Sequence, residues 1–315
     1  MKKGFCKSIF FTFVYLYSFP LRAQAHGGSP HTPGNAWSHW NGDPLLIGSM
    51  AIIVAAYLLG SYKIWQRSGF GRGLGYGHVA AFLAGMWALM IALVSPLDGL
   101  AEELFSAHMA QHLLLMLVAP PLIVWSRPII PLLWALSRPA RHTTGSFWRK
   151  AQGLRWLWHH LTNPLVVWGL YALTLWLWHI PRFYQAALES ETLHQAEHLS
   201  FLAAAILFWW LVLQPVGHRR LDYGAAFLFI FTTMLHSGAL GAFLTFARVP
   251  LYPIYLETTA IWGMTPLEDQ QLAGLLMWTP PTLIYVVIGL ALLGVWINRQ
   301  EKNPSGELQH APVDH

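Results

Sequence analysis

Seven stretches of predominantly apolar residues dominate the sequence, at approximately 44–66, 76–95, 108–126, 164–181, 196–214, 223–246 and 272–297. A helix needs about 20 such residues to cross the hydrocarbon core of a bilayer. Lipid offers the backbone no hydrogen-bond partner, so each crossing segment must satisfy its own N–H and C=O groups, which a helix does. The fold class that follows is all-α: a polytopic membrane protein with seven transmembrane helices. Composition agrees, because 55% apolar residues, 10% charged residues and seventeen tryptophans exclude an ordinary soluble domain. Pro120 and Pro121 fall inside the third stretch and are expected to bend it.

The first 25 residues have a different character. Lys2, Lys3 and Lys7 precede the short apolar run at 9–16, and Ala23-Gln24-Ala25 supplies small residues where a signal peptidase cuts. The expected organisation is a signal peptide over 1–25, a mobile extracytoplasmic tail over 26–43, a seven-helix domain over 44–298 and a cytoplasmic tail over 299–315. Cleavage places the mature N-terminus outside, and charge gives a second test. Setting aside Lys2, Lys3, Lys7 and Arg22 leaves fifteen of the nineteen basic residues, of which only Arg182 and Arg248 fall on the outer side. This is the asymmetry of the positive-inside rule and points to N-out, C-in insertion in a bacterial inner membrane. Acidic residues, among them Asp98, Glu197 and Asp269, lie on the outer side. The basic, tryptophan-containing loop 127–163 reads as a segment lying on anionic lipid, not as a nucleic-acid surface.

The one cysteine, Cys6, falls in the leader, so a mature chain has no thiol for disulfide, redox or metal chemistry. A phosphate-binding Walker loop, a Gly-x-Ser-x-Gly elbow and a His-Glu-x-x-His helix do not occur. The chain is therefore not read as an enzyme, and any metal must be held by His, Met, carboxylate or a free N-terminus. The outer tail carries His26, His31 and His39, and a free α-amine beside an N-terminal histidine can chelate copper. A linker with ordinary polar residues is the favoured reading of that tail.

The histidines of the apolar segments are more informative, because an ionisable group there is costly and needs a partner, a proton or a metal. His108 and His112 open the third segment four residues apart, which puts both on one helix face. His194 and His198 repeat that spacing at the start of the fifth, with Glu197 beside them. His179 closes the fourth segment, so in a seven-span arrangement these five meet near one face of the bilayer. His236 lies midway along the sixth, where a core histidine bonded to a serine or a carbonyl is the competing reading. Met277, about two turns into the seventh, offers a soft thioether that favours Cu(I), although methionine in an apolar helix is usually packing, as at Met109, Met116 and Met234. Gly238 and Gly241 suit close helix contact.

At these residues the chain resembles the CtaG-like cytochrome c oxidase assembly family, the seven-helix kind linked to caa-type oxidases. The resemblance runs through Ser106-Ala107-His108-Met109-Ala110-Gln111-His112-Leu113-Leu114-Leu115-Met116, Leu177-Trp178-His179-Ile180-Pro181 through Tyr184, His194 to His198, His236 to Ala242, and Asp269-Gln270 through Met277-Trp278-Thr279-Pro280. It implies a factor that helps a haem–copper oxidase acquire its catalytic copper centre. The expected function is transient copper binding near the outer face by His108, His112, His194 and His198, with His179, His236 and Met277 as further candidates. Expected partners are the oxidase subunit carrying the copper centre, an extracytoplasmic copper carrier and membrane lipid, with no nucleic acid. Three rivals stay open: a haem-binding cytochrome with paired axial histidines, a copper or proton transporter, and a metal-free scaffold.

Overall fold

A computed structural model describes residues 32–213, 221 and 223–302. The leader, His26, His31, Arg219, Arg220 and the tail beyond residue 302 lie outside the described residues. The described chain is helical, with no strand among those residues. Helix α1 (Pro44–Ser68) starts where Asp43 accepts the Leu45 N–H at 2.8 Å, with Pro44 at a position whose missing N–H costs nothing. It is followed by α2 (Tyr76–Leu93) and the short α3 (Pro96–Glu103), then by α4, a run over Phe105–Trp125. Three short helices come next: α5 (Ile129–Ala135), α6 (Arg138–Lys150) and α7 (Gln152–Leu161). The remainder is α8 (Pro164–Trp178), α9 (Pro181–Glu189), α10 (Glu191–Leu213), α11 (Tyr223–Thr245) and α12 (Pro266–Lys302).

Six of these are long and apolar enough to cross a membrane: α1, α2, α4, α10, α11 and the Pro266–Asn298 part of α12. A seventh candidate crossing is the pair α7 and α8, bent by 69° at their junction, if the two are counted as one span. The bend has a local cause. Pro164 disfavours helical backbone at Asn163, whose side chain instead accepts the Leu165 N–H at 3.0 Å and starts a new helix. At 1.5 Å per residue the fifteen residues of α8 rise about 22 Å, less than the roughly 30 Å of a typical hydrocarbon core. Helices α6 and α7 bury no residue, and Trp156 is 62% exposed.

The centre of the bundle is α4, whose apolar window is 61% buried, against 17% for α1 and 11% for α12 at the rim. Met109 and Met116 of α4 belong to the larger core with α8, α10, α11 and α12, while Leu115 and Ala119 belong to the smaller one with α1 and α2. The prolines expected to disturb this helix do so through a π turn at Leu114–Val118. The carbonyl of Met116 would bond residue 120 in an α-helix or residue 121 in a π turn, and both are proline. That carbonyl accepts the Trp209 indole N–H from α10 at 2.8 Å instead. At the rim, α11 and α12 approach through Gly241 and Gly274; a Cβ on Gly274 would stand 2.7 Å from the Gly241 carbonyl oxygen. The small-residue contact expected around Gly241 is thus present.

Candidate metal centre

Contacts between remote segments bring the start of α4, the start of α10, the end of α8 and the start of α12 to one end of the bundle. The first turn of α4 cannot cap itself, because its N-cap residue is Leu104. Asp269 of α12 supplies the missing acceptor. Its fully buried carboxylate takes the Phe105 N–H at 2.6 Å, the Ser106 N–H at 3.0 Å and the Ser106 hydroxyl. A negative charge here also suits the positive end of the helix dipole. The other flank is fixed by Gln111, which donates to the Ala92 carbonyl at 2.7 Å and to Asp98 at 2.8 Å. Ala92 has a free carbonyl because its helical partner would be Pro96. Asp98 in turn accepts from Asn41 at 2.9 Å, and the Asn41 N–H donates to the Val94 carbonyl. These bonds anchor the segment before α1, which also carries a 3-10 turn over Ala36–Ser38. Burial raises the Asp98 carboxyl above its ordinary range, although Asn41, His194 and Gln111 each pull it down.

With α4 held at both flanks, His108 and His112 project from its third face toward α10. Their Nε2 atoms lie 2.9 Å apart. From α10, the His198 ring comes within 5.8 Å of the His108 ring and 5.4 Å of the His112 ring, centroid to centroid. The His194 ring is 5.3 Å from that of His108. Glu197 is fully buried, and its two oxygens lie 3.8 Å from His108 Nε2 and 3.7 Å from His112 Nε2. Those separations are too long for hydrogen bonds, and neither Glu197 oxygen has another partner. His194 Nε2 and His198 Nε2 are likewise buried without a hydrogen bond.

A buried carboxylate without a hydrogen bond is expensive, and buried charges are normally paired or bound to metal. Here the potential ligand atoms of His108, His112 and His198, and those of His108, His194 and Glu197, lie within 4.8 Å of one another. Several imidazole nitrogens and one carboxylate around a common point can hold a first-row ion such as Zn(II) or copper. The residues present therefore fit a metal, and the fit rests on orphaned buried atoms as well as on residue type.

The other expected site residues are distributed unevenly. The His179 ring sits 6.4 Å from that of His112 and 6.2 Å from that of Phe201. Its Nδ1 bonds the Leu175 carbonyl at 2.6 Å, and its Nε2 faces Met109 Sδ at 3.4 Å. Met277 lines a small cavity of about 40 Å³ together with His112, His179, Met109 and Met116. His236 joins neither group. Its ring meets those of Trp168 at 5.4 Å and Tyr171 at 6.2 Å, edge to face, and neither ring nitrogen has a hydrogen-bond partner.

Three participants were not evident from the sequence. Met109 looks like packing by type, yet its sulfur is aimed at an imidazole. Asp269 caps a helix more than 160 positions away, which no local pattern encodes. Tyr184 of α9 lays its ring 5.2 Å from His108, while its hydroxyl pairs with that of Tyr255 at 2.6 Å. For the last, the available signal was the family resemblance, which runs from Leu177 through Tyr184.

Comparison with known proteins bears on this arrangement. A family model described as cytochrome c oxidase caa3 assembly factor (Caa3_CtaG) matches residues 55–299. An uncharacterized protein of Mycobacterium bovis and one of Mycobacterium tuberculosis are each 24% identical to this chain over 295 residues, covering 91% of it and 43% of the relative. An uncharacterized protein of Mycobacterium leprae is 25% identical over 280 residues, covering 86% of this chain and 41% of the relative. The chain thus spans less than half the length of these curated relatives. No solved structure matches it.

Proposed function

The chain belongs to the cytochrome c oxidase caa3 assembly factor family, and on that premise we propose that it carries copper to the oxidase during assembly. Copper is cargo here, held by His108, His112, His194 and His198 with Glu197 and released to the subunit that builds the copper centre. The observation that carries this reading is the buried Glu197 carboxylate, without a hydrogen bond, facing the Nε2 atoms of two histidines at 3.7–3.8 Å. A cation at that point would convert an electrostatic liability into a coordination bond. Gln111, Asp98 and Asp269 act as positioning residues, holding α4 so that its pair stays aimed at α10.

The site faces the extracytoplasmic side of a bacterial inner membrane, on the N-out orientation that the basic residues favour. There it can receive copper from an extracytoplasmic carrier without the ion crossing the bilayer. The haem alternative is less well supported by the spacing. Two axial imidazoles on opposite faces of a haem stand about 4 Å apart, twice a metal–nitrogen bond of about 2.0 Å. The 2.9 Å between His108 and His112 instead suits two ligands on one side of an ion. The transporter and scaffold readings draw on no observation of comparable weight.

Metal analysis and an absorption spectrum on detergent-purified full-length protein test the proposal, beside a His108→Ala/His112→Ala variant. The expected result is bound copper of which the variant loses at least one equivalent, and an oxidase short of copper in a strain lacking the protein. An unchanged copper content in the variant, or a Soret band in place of copper, would overturn it.

A further inference from the structure

Directly beneath the histidine–glutamate cluster, and separated from it only by His112, lies the small cavity lined by Met109, Met116, Met277, His112 and His179. Its donors differ in kind from those above. The cluster offers nitrogen and carboxylate oxygen, whereas the cavity offers thioether sulfur with imidazole and no carboxylate in its lining. Two of these groups are set in an arrangement that packing alone does not explain. His179 Nδ1 is 2.6 Å from the Leu175 carbonyl, so this nitrogen carries the proton and donates it. In the neutral ring, Nε2 then presents a lone pair, and it is aimed at Met109 Sδ at 3.4 Å. A thioether has no proton to give. Two Lewis bases therefore face each other with nothing between them that either could accept.

A soft cation resolves that conflict. Bonds of about 2.0 Å to nitrogen and about 2.3 Å to sulfur, closing on atoms 3.4 Å apart, subtend an angle of roughly 105° at the ion. That is close to tetrahedral. The Nδ1–H to backbone carbonyl bond is also the usual device for fixing the tautomer and direction of a metal-bound imidazole. His179 is held from a second direction, since Tyr252 donates its hydroxyl proton to the His179 carbonyl at 2.8 Å. Met109 is fully buried, and His179 and Met277 nearly so, which keeps water from competing.

We propose that Met109 Sδ and His179 Nε2, with the other methionines of the cavity at hand, form a second site selective for Cu(I), adjoining the first through His112. The proposal rests on copper being the cargo of the histidine cluster. It adds that the ion has a deeper resting place whose thioether donors reject Zn(II) and select copper in its reduced state. The upper cluster admits several divalent ions by donor type, so this second site is where discrimination between metals arises.

The test uses full-length protein in detergent, titrated anaerobically with Cu(I) against a chromogenic Cu(I) chelator and separately with Zn(II), with X-ray absorption on the copper-loaded sample. Wild type is expected to bind two Cu(I) with sulfur scattering at about 2.3 Å, and one Zn(II). Met109→Leu and Met277→Leu keep side-chain volume, and together they are expected to leave one Cu(I), no sulfur signal and unchanged Zn(II) binding. Retained Zn(II) binding also shows that the variant is folded. A double variant that still binds two Cu(I), or wild-type copper coordinated by nitrogen and oxygen alone, would overturn the second site. The two readings separate through His198→Ala/Glu197→Gln, which should lose Zn(II) but keep the sulfur-ligated Cu(I). Wild type that binds a single Cu(I), ligated by sulfur, would sustain the deep site and overturn the histidine cluster as a copper site. No copper at all would overturn both.

Discussion

The two ends of α4 handle buried polar atoms in opposite ways. Toward its C-terminus, Pro120 and Pro121 strip the Met116 carbonyl of its helical partners, and Trp209 reaches across from α10 to replace them. Nearby, Tyr57 of α1 donates to the Ser126 carbonyl, closing another free backbone group. Toward the N-terminus the backbone is equally well served, by Asp269 and Gln111. There, however, side-chain atoms are left over: both Glu197 oxygens, His194 Nε2 and His198 Nε2 are buried without a hydrogen bond. The end of the bundle that satisfies the first turn of α4 thus leaves side-chain atoms of α10 without hydrogen bonds. Those side-chain atoms are the ones that the proposed copper site would engage.

The largest break in this comparison should come from Glu197→Ala, which removes the only carboxylate of the cluster. Copper affinity is expected to fall by about 100-fold or more, read by competition titration; retention of wild-type affinity would mean that Glu197 plays no part in coordination. Next is Asp269→Ala, which orphans the Phe105 and Ser106 donors. At about 1–3 kcal/mol for each buried group left unpaired, the loss should be roughly 3 kcal/mol or more, seen as a lower thermal midpoint in detergent. Gly274→Ala should cost about 1–3 kcal/mol by forcing α11 and α12 apart without altering copper stoichiometry, because the crowded atoms belong to Thr245 and Gly241. Trp209→Phe tests the repaired end: the Met116 carbonyl loses its donor, for about 1–3 kcal/mol and again no change in copper content. The smallest expected effect is from His236→Gln. This ring touches Trp168 and Tyr171 and lies in neither donor group, so copper binding should be unchanged; a lost equivalent would enlarge the site beyond the present arrangement.

Much of this organisation could be read before any fold was known. Observed helix boundaries follow the apolar stretches closely, because lipid allows a spanning segment few alternatives. The i, i+4 spacing of His108 with His112, and of His194 with His198, fixed which side chains share a face, since helical periodicity is local. The weaker points were non-local. Seven crossings were expected, and six helices are long and apolar enough, while the fourth stretch, α8, qualifies only together with α7 across the bend at Asn163-Pro164. His236 looked able to join the outer histidines, but its position along α11 sets it against α8 instead.

Sequence by itself determined the class of molecule, its helical segments, the absence of cysteine chemistry beyond Cys6, and the residues from which a metal site would have to be built. Those properties follow from composition and from periods of a few residues. Only the tertiary structure decided that His108, His112, His194, His198 and Glu197 converge while His236 does not. It also decided that Met109, apolar by type and position, points its sulfur at His179 Nε2. A side chain's partner depends on how far each helix is rotated and shifted against its neighbours. That rotation is set by contacts such as Asp269 with Ser106 and Gly241 with Gly274, which join residues far apart along the chain.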